Sequence, residues 1–402
     1  MRRAVITGIG LTSPAGNTLN EFFGRLSSGG SFIGEIDRFD ASRYPSRHAG
    51  LVSGPGGEEI FSKRLIKKLD RFSHMALSAS DAAFRDSGID LDAEDKNRIG
   101  ITFGNALGGW AFAEEELRDL WTQGLREVSP YQATAWFPAA PQGQVSIFYG
   151  LKGFSKTIIS DVASSHMAIS YAARAIKTGR ADVMLAGGAE APVSPYALLC
   201  CNTSGELSRT GRYRPFCKDR DGCIIGEGAA ALVVEEMDRA LKRDARIYAE
   251  IKGFGHTSDG MHPIISDASG DGMARAMTLA MREAGVAASG IGMAIPSANA
   301  GKYADLSEGR AFSRIFGDMA GELPFYSPKP QIGNSLGASG ALDAAFACMA
   351  LNNGQTPCLS VDEPEFDFFV FGGGTRKLTK ENVIINSIGR GGVNACLLIG
   401  RP

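Results

Sequence analysis

The chain has 402 residues, 44% hydrophobic and 21% charged, with 51 glycines and a formal net charge of -2. Charge so close to neutral excludes bulk attraction to nucleic acid or an anionic membrane surface, and no apolar run approaches the roughly 18 residues that a membrane span needs. The length is ample for two domains, or for one large duplicated one, with a core on each side of a sheet.

In chain order, "MRRAVITGIGLTSPAG" sets two arginines before a strand-length apolar run bounded by glycine and proline. It makes a poor secretory signal and a good first strand, so a soluble, cytoplasmic protein is expected. "FSKRLIKKLDRFSHMALSASDAAFRDSG" repeats apolar residues at helical spacing and ends in Gly88. Its Lys63, Arg64, Lys67, Lys68 and Arg71 read as a solvated helix face or as a docking patch for an acidic carrier. "RIGITFGNALGG" is a strand opening into a glycine loop, and "WAFAEEELRDLWTQG" a helix closed by Gly124. "TIISDVASSHMAISYAARAIKTGRADVMLAGGAEAP" reads as strand, tight turn, helix and buried strand. "DGCIIGEGAAALVVEEMDRALKRDARIYAEIKGFG" follows as strand, short helix and strand. "GDGMARAMTLAMREAGV" is a helix, "SPKPQIGNSLGASGALDAAFACMALNNG" a loop and a helix, and "ENVIINSIGRGGVNACLLIGRP" two closing strands around a glycine turn.

Strands and helices alternate throughout, which predicts a layered α/β fold with mixed sheets. "SSHMAISYAARAIKTGRADVMLAGG" and "GASGALDAAFACMALNNGQTPCL" echo one another as small-residue turn, alanine-rich helix and exit glycine. The echo suggests duplicated halves, residues 1–248 and 249–402. Seven cysteines without a CxxC pair read as free thiols. No cluster has metal-ligand spacing, and the glycine loops lack both GxGxxG and a P-loop lysine, so no metal or other cofactor is expected.

"VITGIGLTSPAGN", "ARAIKTGRADVMLAGGAEAP", "RPFCKDRDGCIIGEGAAALVVEE", "KPQIGNSLGASGALDAA" and "NSIGRGGVNACLLIG" resemble, in order and over nearly the whole chain, the landmarks of the β-ketoacyl-acyl carrier protein synthases. That resemblance implies a thiolase fold, two similar mixed-sheet halves in five alternating layers (αβαβα), usually as a dimer. It also implies a cysteine nucleophile at a helix mouth, where the dipole lowers its pKa, and two histidines that support decarboxylation and the oxyanion. Aligned backward from "DVMLAGG", the cysteine position is Val162. The histidine positions are Gly301, in "NAGK", and Asn334, in "GNSLGA". None of the three can do the family's chemistry. Lys329 and Asp305 match positions beside the missing histidines, and a structural role is expected of them.

A scaffold kept without its catalytic groups resembles the chain-length factors of type II polyketide synthases. "ELRDLWTQGLREVSPYQATAWFPAAPQGQVSIFYGLKG" strengthens that likeness, whereas Val162 departs from the glutamine common in aromatic members. The resemblance implies a heterodimer with a catalytic ketosynthase, service by an acyl carrier protein, and a tunnel for the growing polyketide. Trp110, Ala113 and Leu117 share one helix face at i, i+3 and i+7. They are core by default and a tunnel floor if the resemblance holds. Phe112 is expected in the core, and Trp136 and Phe137 at the interface or in the core. His166 is expected as a polar residue on a helix face, and Asp161 and the serines as helix caps. The alternative is an acyltransferase or malonyl-carrier-protein decarboxylase acting alone through Ser164, which requires a base in reach. A third reading is a pseudoenzyme that only stabilises its partner.

Overall fold

The computed structural model describes residues 2–54, 57, 60–369 and 374–402. Its main sheet uses β1 (Ala4–Thr12), β2 (Ile99–Gly104), β3 (Ser155–Ile158), β4 (Val183–Glu190), β5 (Gly228–Glu236), β6 (Ala249–Ser258), β7 (Met293–Ile295), β8 (Asn382–Gly389) and β9 (Val393–Gly400). Every residue of β1, β4 and β5 is buried, as befits strands covered on both faces.

The nine strands run in the order β3-β2-β4-β5-β1-β6-β9-β8-β7. Pairing is parallel at β3-β2, β2-β4 and β8-β7 and antiparallel elsewhere, so the sheet is mixed. The halves join where β1 meets β6, over Val5–Glu250 and Ile6–Ala249. Read outward from that join, each half places its opening strand first and its closing strand second: β1 then β5, and β6 then β9.

The helices that matter are α1 (Arg71–Ser87), α2 (Trp110–Thr122), α3 (Ala140–Tyr149), α4 (Ser164–Lys177), α5 (Pro195–Thr203), α6 (Asp271–Ala284), α7 (Lys302–Phe316) and α8 (Ser339–Asn353). α1 covers β1 and β5 from outside, while α6, backed by α7, covers β6 and β9. α4 and α8 lie between the half-sheets and touch strands of both. The result is the five-layered, duplicated α/β arrangement. The two echoed segments are these central helices.

α8 is buried all round and mostly apolar, as an internal helix is expected to be: Ser339–Leu351 are all buried, with Asp343 the one charged residue among them. Small residues let α4 and α8 approach closely. Ser165 Oγ accepts from Ala341 N at 3.0 Å, and a Cβ at Gly340 would overlap the His166 ring. His166 is thus wholly buried, not on a solvated face. Desolvation holds its imidazole well below the ordinary histidine pKa, with the Lys329 charge adding to the effect.

The helix read across residues 61–88 is broken. A short turn at Lys63–Ile66 ends before Asp70, whose carboxylate caps α1 by accepting from Phe72 N at 3.0 Å. The break turns Arg71 inward. It joins Arg38 on the buried Glu227 and leaves the basic face expected of it.

Gly340→Ala is expected to lower stability by about 1–3 kcal/mol, the range for overpacking a filled core. It should appear as a lower urea midpoint at unchanged slope. An unchanged midpoint would mean that α4 and α8 do not meet there.

Candidate functional site

Several chain segments converge on a cavity of about 330 Å³, four of which carry the positions singled out from sequence or face them. Those four are the turn between β3 and α4, the loop after β7, the lead into α8 and the turn between β8 and β9. Val162, Gly301 and Asn334 all line it, so the three positions singled out from sequence share one chamber across both halves. No histidine is among its lining residues.

The chamber keeps a strained backbone. Asp161 (φ 52°) and Leu336 (φ 41°) line it, and Ala298 (φ 48°) and Ala300 (φ 52°) flank the lining residue Asn299. Left-handed geometry at non-glycine residues costs on the order of 1–3 kcal/mol each and persists only where surrounding contacts over-determine it. Those contacts are present. Glu308 accepts from Ser297 N at 2.8 Å and Ala298 N at 3.1 Å. Asn299 Nδ2 donates to Ile388 O at 2.8 Å, and Ser297 Oγ accepts from Ile388 N at 2.9 Å. Burial raises the Glu308 carboxyl to about 7 against these N–H donors.

The side chains at the three positions are inert or occupied. Val162 is apolar and 4% exposed, and Gly301 has no side chain. Asn334 Oδ1 accepts from Leu336 N and Ser339 Oγ, both at 3.0 Å, and so holds the turn that leads into α8. Two cysteines also line the chamber, but burial pushes Cys201 to about 11 and Cys223 to about 12. As thiols they are no substitute for a helix-activated thiolate.

Asp161 and the serines differ from simple helix caps. Asp161 Oδ2 accepts from Arg390 N at 2.8 Å across the chamber, fixing the β8–β9 turn. Ser164 Oγ accepts from Ser160 N at 2.8 Å and sits 2.6 Å from Asp161 O and 2.9 Å from Asn105 O. No base adjoins it among these partners, and both His166 ring nitrogens lack a hydrogen-bond partner in the described structure. A serine nucleophile therefore lacks the proton acceptor it requires.

Lys329 and Asp305 lie behind the chamber wall. Lys329 Nζ pairs with Asp343 Oδ2 at 2.6 Å, both buried. Asp305 Oδ2 accepts from Phe216 N at 2.7 Å and lies 3.6 Å from Arg220 Nε, while burial raises its carboxyl to about 7.

Sequence reasoning missed Arg390, which reaches Glu206 at 2.7 Å at the chamber edge. The available signal was a single charge inside an otherwise glycine-rich turn.

The helix face read as core or as a tunnel floor lies apart from this chamber. Trp110, Ala113 and Leu117 do not line it. Ala113 is buried and Leu117 exposed, while Trp110 is half-buried against Tyr196. Phe112, expected in the core, is half-buried. Trp136 and Phe137 form an edge-to-face pair at the surface, with ring centres 6.1 Å apart.

The chain matches the β-ketoacyl synthase N-terminal domain over residues 1–240 and the C-terminal domain over residues 248–360. It is 34% identical over 409 residues to the 3-oxoacyl-acyl-carrier-protein synthase 2 of Coxiella burnetii, covering 100% of this chain and 99% of that protein. The Vibrio cholerae protein of the same name is 34% identical over 410 residues, with the same coverage. Among solved structures, the ishigamide ketosynthase/chain length factor overlays with a TM-score of 0.92 at 27% identity, covering 100% of this chain and 99% of that one. A β-ketoacyl synthase from Burkholderia phymatum STM815 overlays with a TM-score of 0.92 at 30% identity, covering both chains fully.

Lys329→Met is expected to destabilise the fold by about 3–5 kcal/mol, because it strands the Asp343 carboxylate in the core. Lys329→Met with Asp343→Leu should recover most of that loss in urea unfolding. A fully additive double variant would show that the ion pair is not what Lys329 contributes.

Proposed function

The chain belongs to the β-ketoacyl synthase family, and within it we propose that the protein is a non-condensing partner subunit, the chain-length factor of a type II polyketide synthase. The observation that carries this reading is the chamber whose three reactive positions are Val162, Gly301 and Asn334. Condensation needs a thiolate to take the acyl chain and polarised groups to stabilise the enolate and oxyanion. Valine and glycine offer neither, and the Asn334 carbonyl is already spent on two donors. The curated relatives carry a synthase's name, and the chamber is where this chain parts from that activity.

A partner must then supply the chemistry, and the surface favours one. Trp136, Phe137, Ile147 and Phe148 are exposed at 38%, 53%, 78% and 41%. They lie in or just before α3, which leads into β3, the edge strand of the sheet. A strand edge flanked by exposed large apolar side chains is what a second subunit covers. The likeness to a ketosynthase/chain length factor points to a ketosynthase as that subunit. The ketosynthase would load acyl units from an acyl carrier protein and condense malonyl units. This subunit would bound the tunnel in which the polyketide grows, with Trp110, Ala113 and Leu117 as its floor. Lys329 and Asp305 would keep the loops of the emptied chamber in shape. The acyltransferase alternative through Ser164 fails on its missing base, and the purely stabilising pseudoenzyme predicts no effect of tunnel variants on product length.

Trp110→Ala, in a complex shown to be intact, is expected to lengthen the products by at least one extension, read by mass spectrometry of the released polyketides. Unchanged length in an intact complex would remove Trp110 as the gate. Restoring the thiol alone, as Val162→Cys, is expected to give no condensation by the isolated chain with an acyl- and a malonyl-carrier protein, because no histidine faces the chamber. New condensation by that variant would show that the chamber is still competent.

A further inference from the structure

The chamber around Val162 is lined by six charged side chains, three of each sign: Asp161, Glu206, Asp221, Arg220, Lys302 and Arg390. Two of them are engaged elsewhere. Asp221 accepts from Ser208 Oγ at 2.8 Å, Arg209 N at 3.0 Å and Thr210 N at 3.1 Å. Arg220 pairs with Glu365 at 2.5 Å and donates to the Cys217 and Lys302 carbonyls, both at 2.8 Å. Four remain. Arg390 joins the two acids, its backbone N donating to Asp161 Oδ2 at 2.8 Å and its Nε to Glu206 Oε2 at 2.7 Å. Its Nη1 and Nη2 form the forked edge that suits a carboxylate. They have no hydrogen-bond partner among the described residues, and neither do Asp161 Oδ1 and Glu206 Oε1. Lys302 is exposed and makes no ion pair among the described residues. Much of the remaining lining is apolar, with Val162, Leu207, Ile225, Leu336 and Ile388 all buried. At about 330 Å³ the cavity lies at the small end of small-molecule sites, which run from about 300 to 1,000 Å³.

The unspent groups select a ligand by charge. A lone carboxylate drawn to Arg390 and Lys302 would also face Asp161 and Glu206. A lone amine drawn to the acids would face the two cations. Like charges repel strongly in a cavity sheltered from water. We infer that the chamber is a binding site for a zwitterionic amino acid with an apolar side chain. The ligand's carboxylate takes the free edge of Arg390 and the Lys302 ammonium. Its own ammonium takes the free oxygens of Asp161 and Glu206, and its side chain covers the apolar wall. The site uses the cavity and its charges alone, so it goes beyond the chain-length-factor reading and does not depend on it.

The test is titration calorimetry on the full chain, with L-leucine as the probe. Two half-charged relatives serve as controls: isocaproate, which lacks the ammonium, and isoamylamine, which lacks the carboxylate. L-leucine is expected to bind one-to-one, with each control weaker by about tenfold or more, since each forfeits a charge-assisted contact. Arg390→Leu should weaken L-leucine binding by about tenfold or more for the same reason, and Lys302→Ala by several-fold. Lys302 is exposed, so its variant reads the site even where Arg390→Leu does not fold. Absence of L-leucine binding at millimolar concentration would overturn the inference. Either control binding as well as L-leucine would leave a simple ion site and overturn it too. Unchanged L-leucine binding in the folded variants would put the amino acid elsewhere, with the same result. None of these outcomes bears on the chain-length reading, which product length decides.

Discussion

The close packing of α4 against α8 is the constraint on which the rest of the architecture depends. Two helices from different halves of the chain can lie side by side between two sheets only if their facing residues are small. Ser165 bonding Ala341 N and Gly340 fitting under His166 satisfy that demand. The packing fixes more than the core. It brings the turn before α4 and the lead into α8 to one chamber, which the loop after β7 and the β8–β9 turn complete. In a condensing enzyme that convergence would assemble a cysteine and two histidines. Here it assembles Val162, Gly301 and Asn334.

The backbone around the chamber is strained at Asp161, Ala298, Ala300 and Leu336. Strain survives only where neighbouring contacts enforce it, and here those contacts are also the fold's own supports. Asp161 ties the β8–β9 turn, Glu308 ties the loop after β7, and Asn334 ties the turn that leads into α8. These bonds hold the chamber in shape whatever side chains line it.

Much of this was legible in the sequence. The alternation of elements, the echo between the central helices and the ordered landmarks specified the duplicated layers and aligned Val162, Gly301 and Asn334. They do so because small-residue turns and β-branched strands are local signals. What escaped depended on long-range partners. The burial of His166 is decided by Gly340 on another helix. The inward turn of Arg71 is decided by Glu227, 156 residues away. Asp161 looked like a cap, yet it bonds a residue 229 positions along the chain. The helix face at Trp110 was visible as a face, but its stacking partner Tyr196 was not.

The most direct test is native mass spectrometry of this chain co-expressed with a ketosynthase encoded beside it. The account predicts a one-to-one heterodimer, with the exposed apolar surface around Trp136 and Phe137 leaving this chain poorly soluble alone. A stable homodimer that ignores the ketosynthase would contradict the partner-subunit role.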